Sequence, residues 1–173
     1  VLDVSLHGLH LVAALVYAGG SFMLHGPLRR ALRMIPPGQA SIVGSRVGRD
    51  FTYLSWISLV LLGVTGYWMA FRYGWANMSA PATLWIDPPA LQTAKGVAML
   101  VMALAWLIIV ISAAVITFVL RPLLSLRVKS DATAEAANRA VATISRADRW
   151  LDILALINFV LATVAVLAGA FFH

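Results

Sequence analysis

LQTAKGVAMLVMALAWLIIVISAAVITFVL, residues 91–120, contains one ionisable side chain, Lys95, and runs well past the roughly 20 residues that carry an α-helix across bilayer hydrocarbon. No water reaches backbone N–H and C=O groups there, so such a stretch takes the form that bonds them all internally, a helix. The same length test selects residues 5–28, 51–73 and 150–172. The expected fold is therefore an all-α integral membrane protein: a four-transmembrane-helix up-and-down bundle, with residues 1–173 as one domain. The third span exceeds what a crossing requires, which predicts tilt or a projection beyond the membrane.

Composition points the same way. Of 173 residues, 61% are hydrophobic and 12% are charged, more apolar matter than one soluble domain of this length can cover. The absence of cysteine excludes disulfides, thiolate zinc or iron–sulfur sites and cysteine-attached haem. His, Met, carboxylates, Lys and Tyr remain as ligands. The net charge of +6 does not indicate nucleic acid, because the basic residues adjoin apolar runs and no soluble module presents them.

Those basic residues read as topology signals. Arg29, Arg30, Arg33, Arg46 and Arg49 occupy the first loop and Arg127, Lys129, Arg139 and Arg146 the third, whereas residues 74–90 contain neither Lys nor Arg. The positive-inside rule predicts cytoplasmic basic loops and both termini on the non-cytoplasmic side, in a bacterial inner membrane. Tyr53, Trp56, Tyr67, Trp68, Tyr73, Trp75, Trp85 and Trp150 gather near span ends as an interfacial belt. Between the first two spans, MIPPGQASIVGSRVGRD (residues 34–50) predicts a turn or surface excursion at its Pro-Pro-Gly break. DATAEAANRAVATISRADRW (residues 131–150) is Ala-rich, with Ser145 and Asp148 at capping-box spacing, and predicts an interfacial helix leading into the fourth span. Pro88 and Pro89 favour a sharp restart before the third.

Residues 6–30, LHGLHLVAALVYAGGSFMLHGPLRR, carry three histidines in an otherwise apolar span. His7 and His25 are 18 residues apart, five ideal turns, and so share a face about 27 Å apart; His10 lies about 22 Å from His25. One ring or metal cannot touch both ends, so the pattern predicts an outer site around His7 and His10 and an inner one around His25. A neutral imidazole can ligate haem iron through one nitrogen while the other N–H is held by a neighbour. Equally, each ring can serve as a hydrogen-bonded or interfacial histidine. His173 ends the chain on the outer side. Gly8, Gly19, Gly20, Gly63 and Gly66 either clear space for a flat macrocycle or permit close helix packing.

Lys95 and Arg72, at outer span ends, can pair with haem propionates or snorkel to the interface. At the inner face Asp50, Arg121, Arg149 and Asp152 cluster by depth. Asp152, one turn inside its span, needs a partner or water and is read as an ion-pair member or part of a proton route. Asn158 is expected to bond across the bundle. Met23, Met69, Met78, Met99 and Met102 offer soft copper ligands but form no dense series.

The segments LHGLHLVAALVYAGGSFML, LRRAL, GRDFTYLSWISLVLLGVTGYW and LWIDPPALQTAKGVAML together resemble the CopD-type membrane domain and, more distantly, the HemJ-type protoporphyrinogen oxidase. By that resemblance His10 corresponds to an early histidine of both families and Lys95 to the lysine near the HemJ-type third-span entry. His25 falls only near another HemJ-type histidine, and NRAVATISRADRW departs from the HemJ-type pattern before the last span. The resemblance implies a four-span core associated with b haem, porphyrin oxidation or copper handling.

The leading expectation is a haem b membrane electron-transfer subunit linking a redox partner to the quinone pool or another membrane centre. His10 and His25 are its iron ligands, with His7 as a further candidate, and Lys95, Arg72, Arg121 and Arg149 its propionate partners. One haem is expected, or two if both histidine sites ligate. The alternatives are a HemJ-like porphyrinogen oxidase, a CopD-like copper transporter, and an assembly or anchor subunit in a homo- or hetero-oligomer. Membrane lipid is a partner in every case.

Overall fold

In the computed structural model, residues 2–72, 93–124 and 134–169 are described, and all regular structure among them is helical. The first helix, α1 (Leu2–Met23), passes through a π-helical turn (Leu24–Leu28) into α2 (Arg29–Leu32). A short link, residues 33–36, precedes α3 (Pro37–Arg72). The next helix, α4 (Ala94–Val115), likewise passes through a π-helical turn (Ile116–Leu120) into α5 (Arg121–Leu124), and α6 spans Ala134–Gly169. Four stretches are long and apolar enough to cross a membrane: Val4–Leu32, Gly38–Arg72, Ala94–Leu124 and Asn138–Gly169. The chain is an integral membrane protein with an all-α bundle.

Both π-helical turns adjoin prolines. Pro27 lies within the first and Pro122 just beyond the second. A proline ring clashes with the carbonyl four residues back and donates no N–H, so an inserted residue lets the helix continue where a regular turn would break. This is why the first helix extends past Leu28. Thr93 caps the start of α4, its hydroxyl accepting from the Gly96 N–H at 3.0 Å.

Two segments continue further as helix than their composition predicts. The turn expected at the Pro-Pro-Gly break is present at residues 33–36, but it is short: residues 37–50 are already the first turns of α3, started by Pro37, whose missing N–H costs nothing at a helix beginning. Ser145 and Asp148 lie within α6, so the capping box they suggested is not used: the Ala-rich segment and the fourth span form one helix. Tyr73, Trp75, Met78, Trp85, Pro88, Pro89, Arg127, Lys129 and His173 lie outside the described residues.

The helices pack chiefly as two antiparallel pairs, α1 on α3 and α4 on α6, joined by α1–α6 and α3–α4 contacts. The buried centre comprises Tyr17, Leu59, Ile109 and Ala162, with Trp106 and Leu161 against it. Small side chains dominate elsewhere in the interior, among them Ala13, Ala105, Ala155, Ser55, Ser58 and Ser112. Lipid gives helices little hydrophobic reason to associate, so close backbone approach at small residues takes over. Leu15, Val60, Ile111 and Leu167 point outward, each more than half exposed, as lipid-facing side chains do.

Candidate functional site

The glycines of the paired helices hold aromatic rings. A Cβ on Gly20 would run into the Phe51 ring, and one on Gly63 would sit 2.6 Å from Cζ2 of Trp106. The Trp106 indole N–H donates to the Leu59 carbonyl at 2.9 Å, which fixes that ring in its slot. At these two positions the clearance read in the sequence is filled by the protein itself. Gly8 and Gly19 have open space beside them, and Gly66 faces the His10 ring, with a Cβ there 3.4 Å from Cε1.

His10 is half-buried and its Nδ1 lies 2.7 Å from the hydroxyl of Thr65, a residue only 2% exposed. That hydroxyl is itself 2.6 Å from the Leu61 carbonyl, one turn earlier on α3. A carbonyl can only accept, so the single hydroxyl proton of Thr65 goes to Leu61. Thr65 is then left to accept from His10, which must carry its proton on Nδ1. The lone pair of the neutral ring is therefore on Nε2, the state a ligating histidine adopts when a neighbour holds its other nitrogen. His7, half-buried, precedes it by one turn, and Lys95 and Arg72 are exposed at the same end of the bundle.

His25 occupies the opposite end, within the first π-helical turn, and its ring is exposed. Its Nδ1–H donates to the Ser21 carbonyl at 2.9 Å, so here too Nε2 is the free acceptor. Next to it Arg29 grips Asp152 with two hydrogen bonds, 2.5 Å and 2.9 Å long, across α2 and α6. These groups line a cavity of about 310 Å³ between the first and last helices.

The four charged residues expected to share the inner depth take separate neighbours. Asp152 takes Arg29 as its partner; Arg121 donates to the Gly48 carbonyl at 2.5 Å, Asp50 lies 3.9 Å from Arg49 on the same helix, and Arg149 is exposed. Up-and-down packing is the reason, since it sets the exit of the first helix beside the entry of the last. Asn158 is buried, 4% exposed, and its Oδ1 accepts no hydrogen bond among the described residues. Thr65, Ser21 and Arg29, the partners of His10, His25 and Asp152, are the groups that sequence reasoning passed over. Depth on antiparallel neighbours sets Thr65 level with His10, but the rotation that turns the two together is not written in the sequence.

No three side chains from His, Cys, Asp and Glu gather as a metal cage among the described residues. No protein-family model matches the chain, and no curated protein or solved structure matches it. What His10 and His25 each offer is thus one oriented nitrogen. A haem iron needs only one or two protein ligands, whereas a structural metal cage usually takes about four.

Proposed function

We propose that the bundle binds haem b through Nε2 of His10 and serves as a membrane electron-transfer subunit, linking a redox partner to the quinone pool or another membrane centre. The observation that carries this reading is the chain from His10 through Thr65 to Leu61, which keeps the proton on Nδ1 and leaves one nitrogen for iron. When bound, the cofactor supplies one-electron cycling between ferric and ferrous iron. The protein's share is placement. Thr65 fixes the ring's tautomer and angle, Gly66 lets the ring lie against α3, and Lys95 and Arg72 stand at the same end for propionates. Arg121 and Arg149 belong to the His25 end, too far from His10 to share its cofactor. We further take the basic helix ends to face the cytoplasm of a bacterial inner membrane.

The test is pyridine-haemochrome and metal analysis of the protein purified in mild detergent. About one b haem per chain is expected. Copper without haem would favour CopD-like transport, and neither would favour an anchor subunit. His10→Ala should lose the haem at unchanged folded yield; unaltered haem content and an unaltered spectrum in that variant reject His10 as ligand. Substrate-dependent haem reduction by a porphyrinogen would move the assignment to the HemJ-like oxidase.

A further inference from the structure

The cavity between the first and last helices is polar at one end, its floor, where the partly exposed His25, Arg29 and Asp152 line it, and apolar at the other, its mouth, where Phe22, Leu156 and Phe159 do. Its volume of about 310 Å³ falls at the small end of ligand sites, which run from roughly 300 to 1,000 Å³. The floor offers complementary hydrogen-bonding groups. Nε2 of His25 is an acceptor, because its other nitrogen is committed to Ser21. Arg29 has five N–H donors and gives two to Asp152, which leaves donors for a ligand. The charges of Arg29 and Asp152 cancel within their own bidentate pair, and an anionic headgroup would meet the carboxylate as well as the guanidinium. The floor therefore suits a neutral molecule that both donates and accepts.

The walls select an apolar, flat one. Phe22 and Phe159, with ring centroids 6.0 Å apart, form a continuous aromatic side to the cavity. Phe22 and Leu156 are 56% and 65% exposed on the outward surface, so the mouth opens sideways into lipid. A ligand that reaches this crevice arrives from within the bilayer and can leave a hydrocarbon tail there.

We propose that this crevice binds the headgroup of a prenylated quinone in its reduced, quinol form. One ring hydroxyl donates to Nε2 of His25 and the opposite oxygen accepts from Arg29, while the tail runs out past Phe22 and Leu156. The oxidised quinone has no hydroxyl to give His25 and binds more weakly. The inference deepens the electron-transfer reading and rests on it for the choice of a redox-active ligand. The crevice itself exists without the haem.

The test uses the intact protein in lipid nanodiscs and a decyl-ubiquinone carrying a ring azide. After reduction to the quinol and illumination, label is expected on residues 21–29 and 152–159. Unlabelled decyl-ubiquinol should displace it about tenfold better than decyl-ubiquinone, the worth of one hydrogen bond to the ring. His25→Leu, at an exposed position, should lower labelling by a similar factor, and Phe22→Ala, at a position 56% exposed, should lower it by removing one ring of the aromatic side. Label elsewhere, equal labelling of both variants and wild type, or displacement by an equimolar amount of phosphatidylglycerol overturns the proposal, the last by marking a lipid groove. Crevice labelling in protein that contains no haem supports this site and removes the electron-transfer reading. Haem-replete protein that takes no label does the reverse.

Discussion

Thr65→Val separates what the His10 bond does for the fold from what it does for a ligand. Valine has threonine's shape, so at a position 2% exposed it opens no cavity. What it removes is the acceptor for the His10 Nδ1–H and a hydroxyl that donates to Leu61. A buried hydrogen bond contributes about 1 kcal/mol net, and between membrane helices the average is nearer ~0.6 kcal/mol. The loss of stability is thus expected at about 1 kcal/mol, too small to unfold the bundle. Losing the group that holds a ligating histidine costs more, about 10–100-fold in affinity, or roughly 1.4–2.7 kcal/mol. Haem transfer to excess apomyoglobin measures that term directly. Thr65→Val should give up haem ten- to a hundredfold more readily at nearly unchanged thermal stability, and Thr65→Ser should recover most of the difference. Equal retention and identical spectra in wild type and Thr65→Val would refute the reasoning, since a ring that ligates iron could not lose its anchor without consequence.

Further expectations concern packing and charge. Gly63→Ala forces a methyl into the space of the Trp106 ring and should destabilise by about 1–3 kcal/mol, read as a lowered midpoint of thermal unfolding in detergent, with Gly8→Ala, beside open space, as the silent control. Arg29→Gln and Asp152→Asn each break a pair whose side chains are 40% and 39% exposed; a double-mutant cycle should give a coupling of no more than about 1 kcal/mol, and a much larger value would mean the pair is dry. Asn158→Leu removes a buried acceptor that has no partner among the described residues and should leave stability unchanged or raise it by about 1 kcal/mol; a clear loss would show that Oδ1 is bonded in the membrane.

Much of the architecture is legible along the chain, because the bilayer imposes a length and a polarity that each helix must satisfy alone. Residues 91–120 show it best: thirty positions with one ionisable group leave no other spanning form. Where the helices stop is less legible. Pro37 and the Ala-rich run before Trp150 carry helix beyond the hydrocarbon, in a region where no length rule applies and local propensity decides. The histidines illustrate a different limit. Their separation along one axis shows that His10 and His25 cannot share a site, and the two ends of the bundle keep them apart.

Sequence by itself determined the class, the four spans and the distance between the histidines, all of which follow from geometry within a single helix. Only the tertiary structure decided which neighbour each polar group meets: Thr65 for His10, Arg29 for Asp152, the Phe51 and Trp106 rings for Gly20 and Gly63. The physical reason is that depth fixes a residue's height in the membrane but leaves its rotation about the helix axis free. Rotation is set by how small residues, rings and prolines on neighbouring helices fit together.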